Sequence, residues 1–287
     1  NVGVITNISY AHIKNFKNLF SIARAKSEII NNVVKGGSII LNADDQFYKF
    51  LETKSKRRKL KLISFGIKNK SKINLVKIKK EKLNSILSIK FDKKTFKFSI
   101  QKKLENYVYN ILATLAVMSV YFDISKLDKF FFNDYKFPEG RGDLHLINFK
   151  KKKINLIDES YNASPQSVEN CILYFDEMKK KKLQKKILLI GKMNELGKLE
   201  YYYHKKIVIL IKKTKIDNVL FVGNIYRRIL NLKKINDKRF LFFVNENELF
   251  SFFYNKLKKD DIILAKGSNS TIVNKFIKKI LLNEGKI

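Results

Sequence analysis

The 287 residues, 45% hydrophobic with only 2 prolines, suffice for two domains or one large α/β domain with real cores and no Pro-rich linker. The single cysteine, Cys171, excludes an internal disulfide and a Cys-rich metal site and fits a reducing cytoplasm. No run of 18 apolar residues is present to cross a membrane.

The charge is lopsided, 60 Lys and Arg against 26 Asp and Glu for a formal +34. Dense positive charge suits a polyphosphate partner. The lysines, however, fall in separate short runs (Lys79-Lys80, Lys150 to Lys153, Lys179 to Lys182, Lys256 to Lys259) at element ends and turns. No recognition helix, zinc-finger spacing or RNA-binding aromatic signature accompanies them, so the charge reads as a solvated surface and no nucleic-acid partner is expected. A positive field still favours a substrate carrying phosphates and carboxylates.

In chain order, Val2 to Ile8 reads as a buried strand. Without an initiator Met and with no signal-peptide pattern, this start leads us to expect a missing upstream segment. Leu19 to Val34 has helical apolar spacing and ends before Gly36-Gly37, and Ser38 to Leu41 is a second strand delivering Asn42 to Asp45. Strand, helix and strand make a parallel βαβ unit. Leu60 to Ile63, Ile73 to Ile78, Ile86 to Phe91 and Phe96 to Ile100 read as antiparallel strands with lysines on the wet face. Tyr107 to Tyr121 predicts an apolar helix and Leu127 to Phe132 a second helical segment, before Phe137-Pro138-Glu139-Gly140 breaks the pattern.

The second half alternates. Strands are expected at Ile154 to Asp158, Ile187 to Ile190, Val219 to Val222, Phe240 to Val244 and Ile262 to Ala265. Helices are expected at Pro165 to Lys180, Tyr201 to Lys213, Ile225 to Leu232, Glu246 to Leu257 and Ser270 to Leu282. That pattern means a mostly parallel sheet wrapped by helices, with ligands at the carboxyl ends of its strands. The fold class is therefore α/β, a mixed-sheet domain over 1–137 followed by a Rossmann-like parallel-sheet domain over 138–287.

Four segments put polar groups just past apolar strands. His12 follows the first strand end, and Lys26 lies on a helix beside Ala23 and Ala25. Each alone is more often a hydrogen-bonded imidazole or a solvated amine. A lysine desolvated on a buried face would favour its neutral amine, which can take up carbon dioxide as a carbamate, an oxygen donor suited to magnesium. In Asp158-Glu159-Ser160-Tyr161-Asn162-Ala163-Ser164-Pro165, Ser164 as N-cap and Pro165 in the first turn account for the helix start. They leave Asp158, Glu159, Tyr161 and Asn162 as a polar cluster at a strand end. Gly191-Lys192-Met193-Asn194-Glu195-Leu196-Gly197, with His204 downstream, and Lys266-Gly267-Ser268-Asn269-Ser270 are the other two, the last able to hold an anion on its N–H groups.

With Ile22 to Glu28, Leu41 to Asp45 and Gly140-Arg141, these segments occur in the order found in the Mur ligases, and the chain resembles that family along nearly its whole length. The loops at Asp158 and Gly191 are most similar to those of members that add D-alanyl-D-alanine to a UDP-N-acetylmuramoyl-tripeptide. The resemblance implies an ATP-driven amide ligase of peptidoglycan precursor synthesis, a cytoplasmic monomer, with a truncated central ATPase-like domain. It implies that His12 and a carbamylated Lys26 serve a magnesium ion, and that Asn110, Arg141, Asp158 and Glu159 meet ATP. Tyr161, Asn162, Glu195, Lys266 and Ser268 would face the muramoyl-peptide and D-alanyl-D-alanine.

The family's Gly-Lys-Thr phosphate loop is not among the 287 residues; it would precede Asn1, and the chain alone is expected to be inactive. The family's Gly-Arg-His before Asn110 is replaced by Leu104-Glu105-Asn106, while Lys192 stands for an Asp and Ser164 for an Asn. Three other readings stay open: a folylpolyglutamate- or cyanophycin-type ligase, a basic nucleic-acid-binding protein on the same fold, and a degenerate enzyme.

Overall fold

The computed structural model describes residues 1–10, 13–149 and 151–282. The chain separates into two compact units, one built mainly from residues 1–9 and 15–135, the other from the chain beyond Lys136.

In the first unit the elements are β1 (Val2–Ile5), α1 (Leu19–Lys26), α2 (Ile29–Asn32), β2 (Ser38–Asn42), α3 (Tyr48–Arg57), β3 (Lys61–Gly66), β4 (Ile73–Lys80), β5 (Asn84–Phe91), β6 (Lys94–Gln101) and α4 (Val108–Met118). The strands lie in the order β1-β2-β3-β4-β5-β6. The first four run parallel, and β5 and β6 turn back antiparallel, so the sheet is mixed. Asn18 starts α1 through a reciprocal cap with Ser21, which satisfies the N-terminal donors that a helix leaves open. The apolar stretch expected as one helix breaks at Ser27 and resumes as α2, and Val33 is already extended.

Two expectations are corrected here. The strand at Leu60 to Ile63 pairs parallel with β2, not antiparallel. Its alternation resembles that of the hairpin strands because β3, too, has only one side of its backbone deeply covered. Leu127 to Phe132 forms turns rather than a helix, with Asp128 accepting from Phe130 N at 2.7 Å, and Phe130 and Phe131 project outward. The helix α3 went unexpected because only Leu51 and Ser55 of its ten residues are buried.

The second unit contains β7 (Asp143–Phe149), β8 (Lys152–Glu159), α5 (Pro165–Glu177), β9 (Lys186–Ile190), α6 (Glu200–Lys212), β10 (Asn218–Val222), α7 (Asn224–Leu232), β11 (Phe240–Phe243), α8 (Glu246–Lys256), β12 (Ile262–Lys266) and α9 (Ile272–Leu282). Its sheet runs β11-β10-β9-β12-β8-β7. Five strands are parallel; β7, which alternation alone does not distinguish from a loop, pairs antiparallel on the β8 edge. The last helix opens two residues later than expected, at Ile272.

Parallel strands covered on both faces should be continuous apolar runs, and Lys186–Ile190 and Ile262–Lys266 are buried at every position. The lysines opening and closing those runs need partners. Lys186 donates to the carbonyls of Phe175, Asp176 and Met178 at 3.1, 2.6 and 3.3 Å, closing the carboxyl end of α5. The connections from β8 to β9, β10 and β11 step one way across the sheet, and the return from β11 sets β12 in the gap left between β9 and β8. Loops leaving such a switch point diverge and open a crevice. Among the described residues no helix is long and apolar enough to cross a membrane.

Candidate functional site

In the first unit, the carboxyl ends of β1, β2 and β3 are tied together by side chains from the Asn42 to Asp45 turn. Asn42 Nδ2 donates to Thr6 O at 3.1 Å, and Asp45 Oδ2 accepts from Ile8 N at 2.5 Å. Asp44 gathers the N–H groups of Ile67 (2.6 Å), Lys68 (3.0 Å) and Asn69 (2.7 Å), and the Tyr109 hydroxyl (2.9 Å). Burial alone would raise the Asp44 pKa, but these donors outweigh it and hold the carboxyl below its usual range. The reciprocal effect, led by burial and reinforced by Asp44, lifts Tyr109 to about 12. A Cβ at Gly66 would meet the Asp44 carboxylate at 3.2 Å, a tight approach that the acid would have to yield to.

Lys26 ends α1 and sends its amine to the chain that leaves β1. Its Nζ donates to Asn7 O at 2.9 Å. Desolvation lowers its pKa, with the Asp45 carboxylate pulling the other way. Lys26 follows the buried Ile22 and Ala23 by four and three positions on the same face of α1, yet is exposed as a residue, so the expected burial is partial. His12 lies outside the described residues. Asn110 is exposed, one residue beyond the Tyr109 that bonds Asp44.

In the second unit, the loops after β8, β9 and β12 surround a hollow of about 370 Å³ lined by Tyr161, Asn162, Asn194, Glu195, Ser268 and Ser270. Four residues proposed from sequence for substrate, Tyr161, Asn162, Glu195 and Ser268, thus meet at one place. Two of the loops are stitched together. Asn194 N donates to Ser268 Oγ at 2.9 Å, Asn194 Nδ2 to Ser270 Oγ at 2.8 Å, and Ser268 N to Lys192 O at 3.2 Å. The backbones come so close that a Cβ at Gly267 would lie 2.9 Å from Thr271 Oγ1 and 3.4 Å from Gly191 Cα. Glu195 holds a left-handed φ of 61° at the rim, a conformation that costs a non-glycine residue roughly 1–2 kcal/mol.

Behind the hollow, His204 is fully buried and anchors the β9 loop. Its Nε2 accepts from Met193 N at 2.9 Å, and Nδ1 donates to Glu200 O at 2.7 Å, which fixes the neutral tautomer. Burial drives its pKa down to about 4. Tyr226, buried against the His204 ring at a 5.1 Å centroid distance, donates to Gly191 O at 3.0 Å. Lys192 makes a 2.6 Å ion pair with Glu200 on the opening turn of α6.

Lys266 does not line the hollow. Its amine is drawn under it to Glu159 Oε2 at 3.0 Å and Glu159 O at 3.3 Å. Asp158 is buried and shapes its own loop, its Oδ1 accepting from Ser160 N at 2.9 Å and its carbonyl from Gly142 N at 2.7 Å. Arg141 stacks its guanidinium 4.1 Å from the centre of the Tyr161 ring. Ser164 caps α5 reciprocally with Ser167, as its place before Pro165 leads one to expect. Asp44, Tyr109 and Asn194 were missed from sequence as organisers of these strand ends. The Asp44 partners come from 23 to 65 residues away, and no local pattern announces them.

Among the described residues, no group of three or more His, Cys, Asp or Glu could hold a metal ion. Asp45, whose charge acts on Lys26, and its neighbour Asp44 already accept from backbone N–H groups. Among the described residues magnesium therefore finds the Lys26 amine, as the site of a carbamate, and no complete donor set.

A family model of the Mur ligase middle domain matches residues 1–118, and one of the Mur ligase glutamate ligase domain matches 144–269. The UDP-N-acetylmuramoyl-tripeptide–D-alanyl-D-alanine ligase of Rickettsia prowazekii is 28% identical over 280 residues, covering 96% of this chain and 60% of that protein. The UDP-N-acetylmuramate–L-alanine ligase of Borrelia garinii is 23% identical over 303 residues, covering 96% and 61%. The crystal structure of MurF from Acinetobacter baumannii superposes with a TM-score of 0.80 at 20% identity, over 98% of this chain and 59% of that one, a likeness of fold. The chain thus spans about 60% of the length of the curated relatives it matches.

Proposed function

The chain belongs to the Mur ligase family, and on that premise we propose that it is the ATP-using and acceptor-binding part of a peptidoglycan precursor ligase. The substrates we infer are UDP-N-acetylmuramoyl-tripeptide and D-alanyl-D-alanine, the pair in the name of the Rickettsia relative. The observation that carries the reading is the convergence of the Tyr161, Glu195 and Ser268 loops on one hollow at the carboxyl ends of β8, β9 and β12.

In this reaction the terminal carboxylate of the tripeptide attacks the γ-phosphorus of ATP, forming a C–O–P bond and releasing ADP. The dipeptide amine then attacks the acyl carbon, loses a proton, and inorganic phosphate leaves as the amide forms. A carboxylate and a triphosphate repel each other, so cations must neutralise them before they line up. Arg141 is the guanidinium we assign to that task, lying over the Tyr161 ring. The hollow supplies Glu195 as an acceptor for the incoming ammonium, with Asn162 and the Ser268 region to hold the dipeptide. We infer that Lys26, with its lowered pKa, takes up carbon dioxide and, with His12, binds magnesium, which would neutralise phosphate charge when present. On this reading Asn110 and the Asp158–Glu159 pair lie toward the nucleotide, and the reaction takes place in the cytoplasm.

The test is phosphate release by the protein in the form its gene encodes, given ATP, UDP-N-acetylmuramoyl-tripeptide and a panel of acceptors. D-alanyl-D-alanine should be preferred over L-alanine and over glutamate. Preference for glutamate added to a folate would move the chain to a different ligase of the same fold.

A further inference from the structure

Read along the sequence, the lysines are dispersed; the strand register gathers a set of them on one surface of the first unit. Across β4, β5 and β6, Lys77 pairs with Ser88 and Ser88 with Lys97, while Asn74 pairs with Lys90 and Lys79 with Ile86. Side chains alternate across a pleated sheet, so these residues share one face. The opposite face carries Ile73, Leu75, Leu87, Ile89, Phe98 and Ile100, all buried. The outer face is therefore held in place by a core and is not free to turn its lysines away.

Two hollows adjoin along this face. One, about 550 Å³, is lined by Lys77, Lys79, Lys97, Lys129 and Phe130; the other, about 580 Å³, by Lys70, Lys72 and Lys90. Only Glu81 and Asp92 bring negative charge to them, and Glu81 is taken up by Lys79 at 3.1 Å. Among the described residues no ion pair joins Lys77, Lys90 or Lys97 to a carboxylate, whereas elsewhere Lys56, Lys180, Lys192 and Lys279 each reach one. The face extends about 14 Å along β5 from the Lys90 row to the Lys79 row, at about 3.4 Å per residue. Such a surface matches a line of charge better than a point charge.

We propose that the outer face of β4, β5 and β6 is a docking surface for single-stranded nucleic acid. The lysines neutralise successive phosphates, and Phe130 offers its ring to an unstacked base. Phe130 is 48% exposed, with the Lys129 amine 4.6 Å from its centroid, the pairing of aromatic and cation that single strands use. A duplex keeps its bases stacked and gives Phe130 no role. The proposal stands independently of the ligase reading, since none of these residues belongs to the hollow at β8, β9 and β12.

The test is fluorescence anisotropy of a labelled oligothymidylate with the whole chain over a salt series. The triple variant Lys77→Glu, Lys90→Glu, Lys97→Glu is compared with Lys179→Glu, Lys181→Glu, Lys182→Glu, which changes net charge equally on the other unit. The face variant should bind at least about tenfold more weakly, with a salt slope shallower by about 2 at roughly 0.7 per phosphate. The control should stay within about threefold, and Phe130→Ala should weaken binding several-fold. Equal weakening by both triple variants would show a diffuse charge effect and overturn the proposal. So would tighter binding of the wild type to phosphatidylglycerol vesicles than to the oligonucleotide, or a Phe130→Ala variant that binds normally. Matched thermal unfolding validates the variants; if the glutamates prevent folding, the Lys→Gln set carries the same comparison.

Discussion

Lys266 and Glu159 are register partners on neighbouring parallel strands, and their side chains meet at 3.0 Å beneath the loops that form the hollow. Only 5% of the lysine side chain and 19% of the glutamate side chain are exposed. Removing one member of a buried pair strips a hydrogen-bonded counter-charge from the other, which costs more than removing both. Lys266→Met should therefore destabilise the chain by about 2–3 kcal/mol, and adding Glu159→Leu should recover part of that loss. Urea denaturation of the two variants checks this; a double variant no more stable than the single would refute it.

His204 makes stability depend on acidity. Its pKa falls from 6.5 unfolded to about 4 folded, so the unfolded chain binds more protons between these values. The contribution is complete above pH 6.5 and is lost as pH falls through about 4, amounting to about 3 kcal/mol. Denaturation midpoints of wild type and His204→Gln, measured from pH 7.5 down to 4, should converge as the pH drops. Parallel curves would mean that the imidazole does not titrate in this window.

Gly191 is an expected packing limit. A Cβ there would lie 2.9 Å from Val273 Cγ2 on the opening turn of α9. Gly191→Ala should cost about 1–3 kcal/mol by overpacking and, on the proposed function, raise the KM for the acceptor. Thermal unfolding and initial rates report the two effects separately.

Glu195 should show a conflict between stability and activity. Glu195→Gly relieves a left-handed φ of 61°, so the variant is expected to melt no lower than wild type while losing at least about tenfold in kcat/KM for the acceptor. Unchanged turnover would remove Glu195 from the acceptor site.

Lys26 supplies a fifth test. If its amine carries a carbamate, stripping carbon dioxide should lower activity, and bicarbonate should restore it in wild type but not in Lys26→Met. A carbamate resonance from labelled carbon dioxide, absent in the variant, gives a readout apart from turnover.

Most of the sheet was legible because parallel strands buried on both faces are apolar runs, as at Ile187 to Ile190. The direction of β3 was not, since residues 61–66 look alike whichever neighbour pairs with them. The β7 strand hid because two of its leucines, Leu144 and Leu146, point outward while Ile147 and Phe149 point in. At the site, Tyr161, Asn162, Glu195 and Ser268 were readable as polar residues stranded after apolar ones. The inward turn of Lys266 toward Glu159 was not, because it depends on which two strands become neighbours.

The stitching between Asn194 and the serines at 268 and 270 has a consequence for how selectivity can drift. Neither loop can be redrawn alone, because a new length or side chain in one strips bonding partners from its neighbour. A descendant of this chain that accepts a bulkier amine should therefore carry compensating substitutions in both segments, acquired together.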